Sequence, residues 1–76
     1  SDLDAMRHAA AVWNNYAVAK ANLHEPAEAS QAFEKAIRYQ TRIVQQSTGD
    51  TSAQSLLERY QKGRVYWGSP QPGASN

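Results

Sequence analysis

The stretch Trp13 to Ile37, WNNYAVAKANLHEPAEASQAFEKAI, decides the fold of this chain. Proline disfavours helical geometry in the residue before it and is well tolerated at a first helical position, so the chain breaks at Leu23 to Pro26. Alanines, which favour helix without adding bulk, lie where the two flanking helices must approach closely. The stretch therefore predicts an antiparallel helical hairpin.

Three amphipathic helices are predicted, at about 2–22, 26–46 and 51–67, because apolar residues recur at helical spacing in each. The stripe of the first helix comprises Leu3, Met6, Ala10, Trp13 and Ala17, and Tyr16 and Leu23 widen it. The stripe of the second comprises Ala29, Ala32 or Phe33, Ala36, Ile37, Gln40, Ile43 and Val44. The stripe of the third comprises Leu56, Leu57, Tyr60, Arg64 and Trp67. We expect one all-α domain over residues 1–67, and a flexible Gly/Pro/Ser-rich tail over residues 68–76.

The helix ends carry recognisable signals. Ser1 or Asp2 can cap the first helix, and Gly49 offers the left-handed position that ends many helices. Asp50 or Thr51 can cap the third helix, and Thr51 with Gln54 fits a capping box. Gly63 inside the third helix is expected to permit a close helix crossing.

A chain of 76 residues makes at most one small domain. A domain of this size buries only about 60% of the surface that its unfolded form exposes, so we expect marginal stability, with self-association or a neighbouring segment completing the core. The chain has no cysteine, which excludes disulfides and thiol chemistry. Its start at Ser1 is typical of an excised or processed fragment.

The charge pattern favours protein partners. The net charge is +1 with both signs interspersed, which argues against nucleic acid and anionic membranes as partners. The sequence also lacks an apolar run of the ~20 residues that a membrane span needs. We expect a soluble chain, in the cytoplasm rather than secreted.

Catalysis is not expected, because no motif places a base, a nucleophile and an orienting group at recognisable spacing. His8 follows Asp4 by one turn and His24 lies in the predicted break. Two isolated histidines lack a metal-binding pattern, so both are interpreted as surface or turn residues. We predict neither a cofactor nor a metal.

The residues Trp13, Tyr16, Ala17, Ala29, Phe33 and Ala36 have the types and spacings of a known helical unit. With them the hairpin resembles the tetratricopeptide repeat, in a longer variant found in some bacterial multidomain proteins. The resemblance implies a fragment of a right-handed α-solenoid that serves as a protein-interaction scaffold. The chain departs from the family pattern at His24, where a turn glycine is usual, at Lys20, where an aromatic residue is usual, and in the prolonged second helix.

A weak internal sequence similarity suggests that the third helix starts a following repeat. Five residues match at a constant offset of 54: Ser1, Leu3, Asp4, Arg7 and Trp13 with Ser55, Leu57, Glu58, Gln61 and Trp67. The usual repeat is shorter, at about 34 residues. On this interpretation the third helix is a first helix whose partner is absent.

The family resemblance also implies a binding face, because the first helix of each repeat lines the concave surface. That face would present Ala11, Asn14, Asn15, Val18, Ala21 and Asn22, and the candidate partner-binding residues are Asn14, Asn15, Val18 and Asn22. Trp67 is an interface candidate because it ends a helix beside the tail. Asn15 matches an asparagine that some members use to hold a carboxylate, but the accompanying lysines are missing. The alternative is a solvated polar face.

A basic and aromatic cluster, Arg59, Lys62 and Arg64 with Tyr60 and Tyr66, is interpreted as a solvated helix face that Glu58 partly offsets. Three functions stay open, of which a regulatory nucleic-acid binder ranks last. The first is a non-catalytic protein-protein interaction module that binds a peptide or helix or stacks with neighbouring repeats. The second is a small structural homo-oligomer that completes its core by self-association.

Overall fold

The computed structural model describes residues 2–67, and these form three helices. They are α1 (Asp2–Asn22), α2 (Pro26–Gln46) and α3 (Thr51–Trp67). The described residues are all-helical without strands, which confirms the predicted fold class. The cap expected from Ser1 and the tail predicted at residues 68–76 lie outside the described residues.

Helix α2 is the central element. It packs closely along α1 as a hairpin and carries α3 on another face, whereas α1 and α3 share few contacts. The antiparallel hairpin and the third helix are thereby confirmed. Because α3 packs mainly on α2 and meets α1 chiefly at the cluster of Ala10 and Tyr60, the described residues leave a gap between α1 and α3 beyond that cluster.

Small residues form most of the buried core. Ala17, Ala29 and Ala32 are buried with Phe33 in one cluster, and Ala10 and Ala36 are buried with Tyr60 in another. The half-buried Trp13 packs against both clusters. Alanine at these positions lets the helix backbones approach closely, as the sequence predicted.

The α1–α2 connection is a Schellman turn. The Glu25 amide donates to the Lys20 carbonyl at 3.0 Å, and the His24 amide donates to the Ala21 carbonyl at 3.0 Å. His24 has a φ of 61°, the left-handed conformation that glycine adopts at this position of the motif. The turn therefore has the geometry of a glycine turn although histidine occupies it, at a cost of about 1–2 kcal/mol.

Gly49 and Asp50, two residues singled out in the sequence, lie in the connection between α2 and α3. Gly49 has a φ of 88°, and the Asp50 Oδ1 accepts a hydrogen bond from the Ala53 amide at 3.0 Å. Asp50 is therefore the cap of α3. The predicted capping box of Thr51 and Gln54 is wrong, because Thr51 already lies inside the helix as its first residue.

Two contacts fix α3 against α2. The buried Gln40 side chain donates from Nε2 to the Ala53 carbonyl at 3.0 Å. Further along, a Cβ added at Gly63 would lie 3.0 Å from Cε1 of the fully buried Phe33. The close crossing expected at Gly63 is confirmed, and the Phe33 ring sets how near α3 can come.

Tyr16 and Leu23 do not belong to the buried stripe, so the prediction that they widen it is wrong. Tyr16 is 48% exposed and Leu23 is 65% exposed. Ala17 takes the buried position next to Tyr16, whose ring instead stands edge-on to Trp13 with centroids 5.8 Å apart. Leu23 follows the last residue of α1 and belongs to the turn.

Candidate functional site

A groove of about 370 Å³ runs between α1 and α3. Helix α2 forms the floor of the groove through Phe33. The groove lies where α3 rests on α2 and makes few contacts with α1. Its lining residues are Asn14, Val18, Phe33, Arg59, Lys62, Gly63, Tyr66 and Trp67. The combination of amide, apolar, aromatic and cationic side chains is typical of a binding surface rather than of a core.

The contact between Phe33 and Gly63 forms the floor of the groove. Phe33 is fully buried and presents its ring to Gly63, where the absence of a Cβ lets α3 lie directly on the ring. A larger side chain at Gly63 would fill this floor. The residue that fixes the helix crossing therefore also gives the groove its depth.

The structure brings three of the predicted partner-binding residues together. Asn14 and Val18 are half-buried on the α1 wall, and Trp67 lies on the α3 wall with 38% of its surface exposed. Asn15 and Asn22 are exposed and lie outside the groove lining. Asn15 is rotated about 100° from Asn14 around the helix, and Asn22 follows Val18 by one turn, at the end of α1.

The aromatic end of the groove is formed by two neighbouring residues of α3. Tyr66 is 58% exposed, and its ring stands edge-on to Trp67 with centroids 4.7 Å apart. Val18 faces the same groove from α1. Exposed aromatic rings beside an aliphatic side chain are anchors that a partner can cover with a large gain in apolar burial.

The cationic part of the groove consists of Arg59 and Lys62. Within residues 2–67 neither side chain forms an ion pair, and the groove lining contains no carboxylate. The sequence interpretation treated both as part of a solvated helix face and missed their place in the groove. The signal was present, because 59, 62, 63, 66 and 67 follow the i, i+3, i+4, i+7, i+8 spacing of one helix face.

Most of the remaining residues that carry the resemblance are packing residues. Ala17, Ala29, Phe33 and Ala36 are fully buried, whereas Tyr16 is exposed. Trp13 is half-buried, with the Lys35 ammonium 4.2 Å from its ring centroid. Trp13 is therefore a packing residue whose outer face is covered by a cation.

Lys20 lies where the tetratricopeptide pattern usually has an aromatic residue, and it links the two helices of the hairpin through ion pairs. Its ammonium lies 3.0 Å from the Glu28 carboxylate and 3.6 Å from that of Glu25. It also lies 5.5 Å from the Tyr16 ring centroid. The hydrogen bond to Glu28 raises the pKa of Lys20 above its ordinary value of 10.5. The ion pair thus ties the end of α1 to the start of α2.

The histidines do not form a ligand cluster. His8 lies on the exposed face of α1, and His24 lies in the turn. Among residues 2–67 there is no group of three or more histidine, aspartate and glutamate side chains arranged to hold a metal ion. None of the three described helices combines the length and apolar character required to cross a bilayer.

Comparison with known proteins gives no relative: no family model, curated protein or solved structure matches this chain. The groove and its residues are therefore interpreted on their own chemistry.

Proposed function

We propose that this chain is a non-catalytic protein-protein interaction module, a fragment of a tetratricopeptide-like scaffold. Its α1–α3 groove binds an extended peptide segment that carries acidic and aromatic side chains. The observation that carries the proposal is the convergence of Asn14, Val18 and Trp67 in one groove with the unpaired cations Arg59 and Lys62.

Charge complementarity supports an acidic partner. Among residues 2–67 the groove lining contains two cations and no carboxylate, so a segment with aspartate or glutamate would find opposite charge along the α3 wall. The Asn14 amide can bond peptide backbone groups, and the exposed Tyr66 and Trp67 can cover an apolar anchor. The lining offers no histidine or carboxylate as a base, which supports binding without catalysis.

The arrangement of the helices supports the scaffold interpretation. Both α1 and α3 are antiparallel to α2: α1 pairs with α2 as a hairpin, and α3 places Ala53 against Gln40 and Gly63 against Phe33. α1 and α3 therefore run in the same direction, and each contributes one wall of the groove. This is what two successive first helices of a repeat array would do. The alanine contacts of the hairpin supply the close packing that such a unit requires.

A peptide titration tests the proposal. The probe is a fluorescein-labelled ten-residue peptide of alternating glutamate and phenylalanine, compared with its lysine and phenylalanine counterpart. We expect saturable binding of the acidic peptide, about tenfold tighter than the basic one. Val18→Asp and Lys62→Glu, which remove an apolar contact or a cation and add a negative charge to the groove, should each weaken binding by about tenfold.

The matched control is Arg7→Glu, which makes the same charge change as Lys62→Glu at an exposed position near the start of α1, outside the groove lining. This variant should keep the wild-type affinity. If Arg7→Glu weakens binding as much as Lys62→Glu, attraction is a property of net charge, and the groove is not the binding site.

Self-association is the second candidate, and a specific patch favours it. Val65, Tyr66 and Trp67 at the end of α3 are 74%, 58% and 38% exposed. A second copy could cover these side chains and complete the core of each chain. The oligomeric state separates the two candidates.

A further inference from the structure

The cations of the described chain fall into two groups. Arg7, Lys20 and Arg64 form ion pairs with Asp4, with Glu25 and Glu28, and with Glu34. The other five form none within residues 2–67: Arg59 and Lys62 in the groove, and Lys35, Arg38 and Arg42 on α2. Although the net charge is only +1, Lys35, Arg38 and Arg42 therefore form a second cluster of cations without ion pairs among residues 2–67.

This second site is a pocket of about 280 Å³ between α1 and α2, which shares no lining residue with the groove. Its lining consists of Trp13, Lys35, Arg38, Tyr39 and Arg42. Three side chains are cations, two are aromatic, and none is acidic. Arg38 and Arg42 also line the neighbouring depression toward α3, together with Glu34, whose carboxylate is paired with Arg64 at 3.7 Å.

The spacing of these cations is unfavourable for the helix alone. Lys35 and Arg38 are three residues apart, and Arg38 and Arg42 are four apart, so like charges adjoin along one face of α2. The Lys35 ammonium is held 4.2 Å from the Trp13 ring centroid rather than by a carboxylate. An anion bound in the pocket would relieve this repulsion.

The chemistry of the pocket identifies the class of anion. Arginine presents a planar fork of donors that matches the oxygens of a phosphate, and three cations suit a dianion better than a single carboxylate. Tyr39 adds an aromatic wall that a flat ring can contact, while the Trp13 face is covered by the Lys35 ammonium. We propose that the α2 pocket binds the phosphate monoester of an aromatic group, with Arg38 and Arg42 on the phosphate.

The test uses the full chain and phenyl phosphate as the probe. Binding is followed by the NMR signal of the Trp13 indole, assigned with a Trp67→Phe variant. We expect a saturable shift, with phenol and inorganic phosphate each binding about tenfold more weakly. A phosphotyrosine flanked by glycines serves as a second arm. Tighter binding of this peptide would assign the group to a protein, and equal binding would assign it to a free ester.

Arg42→Glu separates binding from stability. It replaces a like-charge pair with an opposite pair at the same spacing, so the melting temperature should stay the same or rise. The affinity for phenyl phosphate should fall by about tenfold or more. Arg42→Gln should weaken binding in the same direction, with circular dichroism confirming its helix content.

Arg7→Gln is the matched control, because Arg7 lines neither the pocket nor the groove and its ion pair with Asp4 is exposed. The proposal is overturned if the Trp13 indole does not shift, or if Arg42→Gln binds like the wild type. It is also overturned if Arg7→Gln loses as much affinity as Arg42→Gln, since the anion would then respond to overall charge alone.

Discussion

His24 is the residue at which backbone geometry and side-chain type conflict most clearly. The Schellman turn requires a left-handed residue there, and His24 meets the requirement with a φ of 61°. Glycine would adopt this conformation without strain, whereas an L-residue with a Cβ does not. The sequence marked the break through Pro26, but it could not show that His24 takes the glycine conformation.

His24→Gly is expected to stabilise the chain by about 0.5–1 kcal/mol, because relief of left-handed strain exceeds the added entropy of the unfolded chain. Urea unfolding followed by circular dichroism measures the change. His24→Ala retains a Cβ in the same backbone conformation and should shift the free energy of unfolding by less than about 0.5 kcal/mol. Equal effects of the two variants would mean that residue 24 is not left-handed in solution.

Gly63 is the second residue whose role depends on space rather than on chemistry. A Cβ there would lie 3.0 Å from the Phe33 ring, so Gly63→Leu should overpack the crossing and cost about 1–3 kcal/mol. Gln61→Leu places the same side chain on the exposed side of α3 and should have little effect. The measurement is thermal unfolding, and a Gly63→Leu variant as stable as Gln61→Leu would show that α3 does not rest on Phe33.

Among the helices, the close contact between α1 and α2 holds the fold together. This contact, the alanine seam, is formed by Ala10, Ala17, Ala29, Ala32 and Ala36. The helical periodicity of apolar residues identified this seam, because the buried alanines of α1 and α2 and Phe33 all fall on the predicted stripes. Periodicity alone could not exclude Tyr16 from the seam. A residue at the edge of a stripe is buried or exposed according to which neighbour packs more closely, and here Ala17 does.

Ala36→Leu is expected to destabilise the hairpin by about 1–3 kcal/mol, since Ala36 is fully buried at a close helix contact. Ala19→Leu on the exposed face of α1 is the matched control and should leave the free energy of unfolding almost unchanged. Chemical denaturation gives both values. A tolerated Ala36→Leu would contradict the close packing of the two helices.

The candidate site was partly predictable at this scale. The family resemblance placed the binding face on α1, and the structure puts Asn14 and Val18 in the groove wall. The opposite wall was not predicted, because the position of α3 depends on Gly63, Phe33 and Gln40 together. These residues are distant in sequence, and no local pattern shows that they meet.

At the scale of the whole molecule, stability should depend on pH in the alkaline range. Burial raises the pKa of the Tyr60 phenol above 10, and Glu28 raises the pKa of the Lys20 ammonium. In both cases the folded chain holds its proton more tightly than the unfolded chain does. The stabilisation is therefore complete below about pH 10 and is lost as the pH rises through the raised values.

Tyr60→Phe tests this dependence, because it keeps the ring and removes the ionisable hydroxyl. Melting temperatures between about pH 9 and 11 should fall less steeply for Tyr60→Phe than for the wild type. Some decline should remain, because Lys20 is unchanged. Parallel curves would show that the Tyr60 phenol ionises equally well in the folded and unfolded chain.

The proposed function requires that the α1–α3 groove is accessible in a folded monomer. Sedimentation velocity across a range of micromolar concentrations tests this requirement, with Trp67→Ala run in parallel. We expect one helical species with the mass of a single chain, 8.4 kDa, at every concentration for both proteins. A dimer that forms with rising concentration in the wild type and disappears in Trp67→Ala would contradict it, because the groove would then be occupied by a second copy.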